Sequence, residues 1–255
     1  MKEQSLNKPV EKIKETVHQA AQAESAPAPV RRYRAVLFQT ILVLFVAAFG
    51  TLTFLVKTTP SFAIDLQITR AIQSINLPGF AGLMSAVSWA GFGPQVVVIT
   101  AVIILGMYIL GLHWETVAAL LAAILSTTVN FVVKDLVQRP RPTGSGVNVI
   151  AVLNSYSFPS GHVMYYLGFL GFIGFLVFSL MKPSLKRSII LVLIAIPVAL
   201  IGVSRIYLGE HWASDVLGAY LLGTLTLVVT IQVYRWGKTR FFVHQPVAAA
   251  GTQPA

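Results

Sequence analysis

Long stretches of the chain carry no Asp, Glu, Lys or Arg: residues 35–56, 71–114, 116–133, 142–181, 188–204 and 216–234. A helix needs roughly 20 apolar residues, within a range of about 17–25, to cross the hydrocarbon core of a bilayer. Six spans are therefore predicted, near 36–56, 94–112, 116–134, 160–181, 188–206 and 212–234, with 62–90 left as a re-entrant or interfacial stretch. The expected fold class is all-α, a polytopic membrane helical bundle. The first apolar run is longer than the ~7–15 residues of a signal-peptide core and follows a long polar stretch, so it reads as a retained anchor. Residues 1–35, punctuated by Ala26-Pro27-Ala28-Pro29, read as a polar flexible cytoplasmic tail, residues 36–236 as the membrane domain and 237–255 as a short C-terminal tail. The stretch Glu11–Ala23 has the makings of a short helix, although a solvated tail is the favoured reading.

Composition supports this picture. Of 255 residues 55% are apolar and 11% charged, against roughly 25% charged in a soluble domain. The abundance of Val, Leu, Ile and Phe excludes a disordered chain, and the absence of cysteine excludes a disulfide or zinc-thiolate scaffold. The net charge of +10 would suggest nucleic acid in a soluble protein. Here its distribution says otherwise: residues 1–35 hold seven Lys/Arg and four Glu, whereas 36–236 hold only fifteen charged side chains. Arg31, Arg32 and Arg34 flank the first span, Lys182, Lys186 and Arg187 lie between the fourth and fifth, and Arg235, Lys238 and Arg240 follow the sixth. An even number of spans puts these groups on one side, which the positive-inside rule makes cytoplasmic. Both termini are expected there. The basic charge thus orients the chain in a bilayer, and no nucleic-acid partner is expected.

Ionisable groups at membrane depth are costly and commonly functional. Three clusters stand out: Lys134 through Arg141-Pro142, closing the third span; Ser157-Phe158-Pro159-Ser160-Gly161-His162, opening the fourth; and Ser204-Arg205 through Glu210-His211 to Asp215, joining the fifth and sixth. Alternating span direction brings all three to one membrane face. Lys134, Arg141 and Arg205 would repel one another without an anion between them, and phosphate suits three such cations. Ser160 and Gly161 stand at a helix start, where free backbone N–H groups favour an anion. His211 and Asp215, four apart, share a helical face, so the carboxylate can fix one ring nitrogen and leave the other as nucleophile or base. His162 supplies a second proton-handling group. A metal pair at His211 and Asp215, with Glu210 nearby, is the competing reading, disfavoured by the three cations beside it. Taken singly, a Lys or Arg at a helix end is most often an interface anchor, and Pro-Ser-Gly a turn before a helix. Trp89, Trp114 and Trp236 read as interfacial belt residues, and Gly168, Gly171 and Gly174 as a small-residue face for close helix packing.

Together these residues resemble the type 2 phosphatidic acid phosphatase (PAP2) superfamily, which includes the vanadium haloperoxidases. Its signature is Lys, six residues, Arg-Pro; then Pro-Ser-Gly-His; then Ser-Arg, five residues, His, three residues, Asp. It is filled here by Lys134 to Arg141-Pro142, by Pro159-Ser160-Gly161-His162, and by Ser204-Arg205 through His211 to Asp215. The doubled Arg139-Pro140-Arg141-Pro142 leaves Arg139 as a rim residue. The resemblance implies that His211 attacks phosphorus to give a phosphohistidine, that Asp215 orients it, and that His162 protonates the leaving group and then helps water attack. Lys134, Arg141, Ser160, Gly161 and Arg205 would bind the phosphoryl oxygens. It implies no metal and no cofactor in the phosphatase branch. The haloperoxidases hold vanadate in the same pocket but are soluble or peripheral, so six spans favour the membrane branch.

The expected function is removal of a terminal phosphate from a lipid phosphate or pyrophosphate at the extracytoplasmic leaflet. Phosphatidic acid, phosphatidylglycerophosphate, diacylglycerol pyrophosphate and undecaprenyl pyrophosphate are the candidates. Pro78-Gly79 and Gly91-Phe92-Gly93-Pro94 mark candidate positions for lateral lipid access. The alternative is a lipid or anion transporter using the same cationic pocket. It places no demand on a paired His and Asp with a second His, and no inverted repeat is evident.

Overall fold

The computed structural model describes residues 28–241 apart from 60, 144, 145 and 152, and these are all helical or in connecting loops. Eight helices are seen among the described residues: α1 Ala28–Thr58, α2 Ala63–Gln73, α3 Phe80–Trp89, α4 Gly93–Ile109, α5 His113–Val137, α6 Gly161–Leu180, α7 Leu185–Tyr207 and α8 Ala213–Phe241. Five of them (α1, α5, α6, α7 and α8) are long and apolar enough to cross a membrane. The pair α3 and α4, bent by 65° at a short break, makes a sixth if counted as one span. The chain divides into two units, residues 1–44 and 45–255, with the boundary inside α1. In the first unit the described residues are helical, beginning seven positions before the expected end of the flexible tail. Arg31, Arg32 and Arg34 are good helix formers and let the apolar span extend backwards. The expected short helix at Glu11–Ala23 lies outside the described residues, as does the chain after Phe241. Of the expected C-terminal tail, residues 237–241 continue α8 instead.

In the second unit α8 packs against α5, α6 and α7, α6 lies between α5 and α7, and α4 packs on α5. The core is built from Val163, Met164, Phe169 and Phe172 of α6, Ile201 of α7 and Ala219 of α8, all fully buried. They meet a face of α5 made of Ala118, Ala119, Ala122, Ala123 and Ser126. Lipid offers no hydrophobic drive for helices to associate, so close packing of small residues and interhelical hydrogen bonds carry more of that load. Gly168 meets Ser126 and the Ala122 carbonyl so closely that a Cβ would overlap the serine hydroxyl. It lies in a π-turn over Tyr166–Leu170. On either side of that turn's start, Tyr165 hydrogen-bonds Thr100 of α4 at 2.8 Å and Tyr166 donates to the Val87 carbonyl of α3 at 2.6 Å. Gly168→Val is expected to destabilise the protein by about 1–3 kcal/mol through overpacking, read as a lowered melting temperature in detergent. An unchanged melt would contradict the packing.

Residues 62–90, expected as a re-entrant or interfacial stretch, form α2 and α3. The first is amphipathic and packs on α7 and α8, and the second packs along α7. α2 also secures the long loop between α5 and α6. Gln73 donates to the carbonyls of Asn148 and Tyr207 at 2.7 and 2.9 Å and accepts from the Asn148 N–H, while Arg70 donates to the Gly146 carbonyl. α5 ends where Gln138 takes a left-handed conformation and Pro140 and Pro142 follow. Lys57 at the end of α1 donates to the freed Leu136 carbonyl at 2.9 Å, a favourable place for a cation at a helix C-terminus.

Candidate active site

The three polar clusters of the sequence converge on one cavity of about 340 Å³, lined by Lys134, Arg141, Gly161, His162, Arg205 and His211 together with Gly91–Gly93 and Asn130. Ser160, the residue preceding α6, donates its backbone N–H to the Asp215 carbonyl at 3.2 Å, and Asp215 lies behind His211 in the first turn of α8. All eight residues singled out from the sequence are therefore brought together.

Lys134 and Arg141 are held by carbonyl oxygens that aim them, and Arg205 by side chains. Lys134, in the last turn of α5, donates to the carbonyls of Tyr156 at 2.5 Å and Ser157 at 3.3 Å. Arg141 donates from Nε to the Ser155 carbonyl at 2.7 Å and from one terminal nitrogen to the Glu210 carbonyl at 2.5 Å. Burial pulls the Arg141 pKa below its ordinary value, with Asp215 opposing, but a guanidinium starts so high that it stays charged. Arg205 is fully buried, ion-paired with Glu210 and hydrogen-bonded to Ser88, and its Cζ lies 5.6 Å from the Phe92 ring centre. Glu210 thus neutralises Arg205, which explains a carboxylate that the sequence left as a suspected metal ligand. Three cations and this one carboxylate leave two positive charges facing the cavity, the complement of a phosphate dianion.

Polar atoms of two residues lining this cavity, His162 Nε2 and Arg205 Nε, and of the adjoining Ser160, Oγ, are buried without a partner. Buried polar groups are ordinarily satisfied, so three orphans on residues at one cavity mark where a polar ligand belongs. Gly161 carries no side chain where a Cβ would press on Asn130 Oδ1, and Asn130 in turn donates to the Pro159 carbonyl at 3.0 Å, fixing the approach to α6. Gly91 plays the same part over His162, since a Cβ there would overlap the imidazole. The His162 ring meets Phe92 edge-on at 5.1 Å.

His211 is 1% exposed. Its Nε2 lies 3.2 Å from an Arg141 nitrogen, and because a guanidinium only donates, Nε2 is the accepting nitrogen and Nδ1 carries the proton. Nδ1 is 3.5 Å from both Asp215 Oδ2 and Ser157 Oγ. Asp215 Oδ2 also accepts from Ser157 Oγ at 2.5 Å and from the Trp212 N–H at 2.8 Å. The imidazole is thereby fixed with its lone pair toward the cavity. Burial, reinforced by Arg141, Lys134 and Arg205, pushes its pKa well below the ordinary histidine range. The folded protein then binds fewer protons at this site than the unfolded chain once pH drops below about 6.5. Stability is expected to fall as pH is lowered through that value, and His211→Gln to flatten the fall. Equal slopes of melting temperature against pH in the two proteins would contradict it.

The sequence profile of the PAP2 superfamily matches residues 115–238, a segment holding every one of these signature residues. The chain belongs to the PAP2 superfamily. It is 29% identical over 162 residues to phosphatidylglycerophosphatase B of Bacillus subtilis (strain 168), covering 63% of this chain and 78% of that protein. The crystal structure of the transmembrane PAP2-type phosphatidylglycerolphosphate phosphatase from B. subtilis superposes with a TM-score of 0.67 at 26% identity, covering 78% of this chain and 98% of that one. LpxE of Aquifex aeolicus superposes with a TM-score of 0.54 at 22% identity over 68% of this chain and 98% of its own, a likeness of fold. This PAP2 protein is a multi-pass membrane phosphatase acting on a phosphoric monoester of a lipid.

Arg139 corrects the expectation of a rim residue. It is 1% exposed, packs 5.4 Å from the Phe62 ring centre, and ion-pairs with Asp215 at 2.6 Å and Asp65 at 2.8 Å. The second Arg-Pro brings Arg141 to the cavity beside His211, while the first turns Arg139 to Asp65 and the far side of Asp215. Asp65, Asn130 and Ser88 have no signal in the sequence, and Ser157 stands there only as the first residue of the cluster that runs to His162, with no role assigned to it.

Proposed function

We propose that this PAP2 phosphatase removes the terminal phosphate of a lipid phosphate through a phosphohistidine on His211, with phosphatidylglycerophosphate the favoured substrate. The orphaned polar atoms of Ser160, His162 and Arg205 around a neutral, lone-pair-presenting His211 carry this reading. The phosphoryl oxygens take the places facing Lys134, Arg141, Arg205 and the N-terminus of α6, with Ser160 Oγ and the Gly161 backbone adding donors. In the first step His211 Nε2 bonds to phosphorus as the bond to the lipid oxygen breaks, and His162 supplies the proton that oxygen needs. In the second, water attacks phosphorus, His162 takes its proton, the N–P bond breaks and phosphate leaves. Asp215 holds the Nδ1 proton and its charge offsets the cationic ring of the intermediate.

An apolar groove of about 520 Å³ between α4 and α5 favours a lipid. It is lined by Val97, Ala101, Ile104, Leu120 and Ile124, and it shares Val96, Thr127 and Tyr165 with the phosphate cavity. A chain lying there would leave its phosphate at His211. Of the two glycine-rich stretches expected at the lateral access, Gly91–Gly93 lines the cavity itself. The name of the B. subtilis relative points to phosphatidylglycerophosphate. The basic groups at Lys182–Arg187 and Arg235–Arg240 support cytoplasmic termini and an extracytoplasmic site. Phosphate release from mixed micelles of phosphatidylglycerophosphate, phosphatidic acid and undecaprenyl pyrophosphate tests the substrate. The highest kcat/KM is expected for the first, and a preference for either of the others would overturn that choice. Vectorial lipid flux without phosphate release would favour the transporter.

A further inference from the structure

Behind His211, on the side away from the cavity, lies a chain of buried charges that no phosphoryl oxygen can touch. Asp65, in the first turn of α2, is 1% exposed. One of its oxygens accepts from the Ser214 N–H at 2.8 Å, and the other from Ser214 Oγ at 2.6 Å and an Arg139 nitrogen at 2.8 Å. The other terminal nitrogen of Arg139 reaches Ser214 Oγ at 2.7 Å and Asp215 Oδ1 at 2.6 Å. One guanidinium thus bridges two carboxylates, and the second of these holds His211.

We infer that Asp65 is a positioning residue for phosphoryl transfer: through Arg139 and Ser214 it holds Asp215, and hence His211, in the orientation for attack. The inference rests on the reading of His211 as the nucleophile. Three features of the arrangement carry it. Asp65 caps the N-terminus of α8 from another helix, so it fixes the turn on which Asp215 stands and is favoured there by the helix dipole. Its charge occupies one arm of Arg139, so that the guanidinium does not draw on Asp215 alone. With two carboxylates and one guanidinium the set carries a surplus negative charge, set against an imidazole that becomes cationic when phosphorylated. A group that only held α2 to the bundle would need no second carboxylate on the same arginine.

Asp65→Asn keeps the shape and removes the charge. Its kcat is expected to fall about 10- to 100-fold, the scale on which groups orienting an active imidazole through its partner act. KM and inhibition by inorganic phosphate should change less than about three-fold, because Lys134, Arg141 and Arg205 do not touch Asp65. In a background of Asp215→Asn the same change should cost nearly nothing further. A purely structural role would lower the melting temperature while leaving kcat per folded molecule intact. Should Asp65→Asn not fold, Ser214→Ala interrupts the hydroxyl shared by Asp65 and Arg139 and is expected to lower kcat at least about five-fold at constant KM. Unchanged kcat in a folded variant, or full additivity with Asp215→Asn, overturns the inference. Assaying His211→Ala in parallel separates the two readings: if that variant is active the nucleophile assignment fails, and if it is inactive while Asp65→Asn is wild-type the positioning role alone fails.

Discussion

Replacing His211 by Ala is expected to lower lipid-phosphate hydrolysis by about 10⁴- to 10⁶-fold, the range in which loss of a covalent nucleophile falls. The loss should be chemical rather than structural. Asp215 keeps its bonds to Arg139, Ser157 and the Trp212 N–H when the imidazole is gone, so the turn before α8 retains its supports. Arg141 keeps its carbonyl partners Ser155 and Glu210. The variant should therefore bind inorganic phosphate with an affinity near that of the wild type and melt within a few degrees of it. Activity in His211→Ala within ten-fold of the wild type would exclude a phosphohistidine at this position.

The second large effect concerns Arg205. Its guanidinium is fully buried between Glu210 and Ser88, with Nε left without a partner. On the proposed mechanism Arg205→Met removes a donor aimed at the charge that develops on the transferring phosphoryl group, and activity should drop at least 10²- to 10³-fold. It also strands Glu210 as an unpaired buried carboxylate, at a cost of about 3–5 kcal/mol. Adding Glu210→Met removes the stranded charge, so the double variant should recover most of the lost melting temperature while remaining inactive. Recovery of activity together with stability would mean that Arg205 serves the fold alone. Failure to recover stability would mean that Glu210 has a partner other than Arg205.

The parts of this site that could be read from the sequence are those that the membrane makes conspicuous. Lys134, Arg205, His162 and Asp215 interrupt or end otherwise uncharged runs, so each stood out against its background. Alternating spans then placed them at one face before any helix was packed. Asp65 offered no such contrast. It lies in a short amphipathic helix whose polar residues look like an ordinary wet face, and its partners Arg139 and Ser214 are 74 and 149 residues away. Arg139 was hidden by repetition, since two consecutive Arg-Pro pairs look alike until the chain turns one inward and one outward. Glu210 was visible but ambiguous: a carboxylate beside a histidine suits a metal as well as an ion pair, and only the packing of α7 against the turn before α8 shows Arg205 filling that role. The break between α3 and α4 was likewise illegible, because Gly91-Phe92-Gly93-Pro94 marks a turn without giving its angle, which is 65° with α3 packed along α7.

The most direct measurement is a trap of the covalent intermediate. Purified protein is mixed with a lipid phosphate labelled at the terminal phosphorus and quenched in alkali, which preserves a phosphoramidate and hydrolyses an acyl phosphate, and the labelled peptide is then sequenced. The label is expected on His211, to appear before free phosphate in single turnover, and to be absent from His211→Ala. Label on another residue, or phosphate released in single turnover with no labelled protein at any time, would contradict the account.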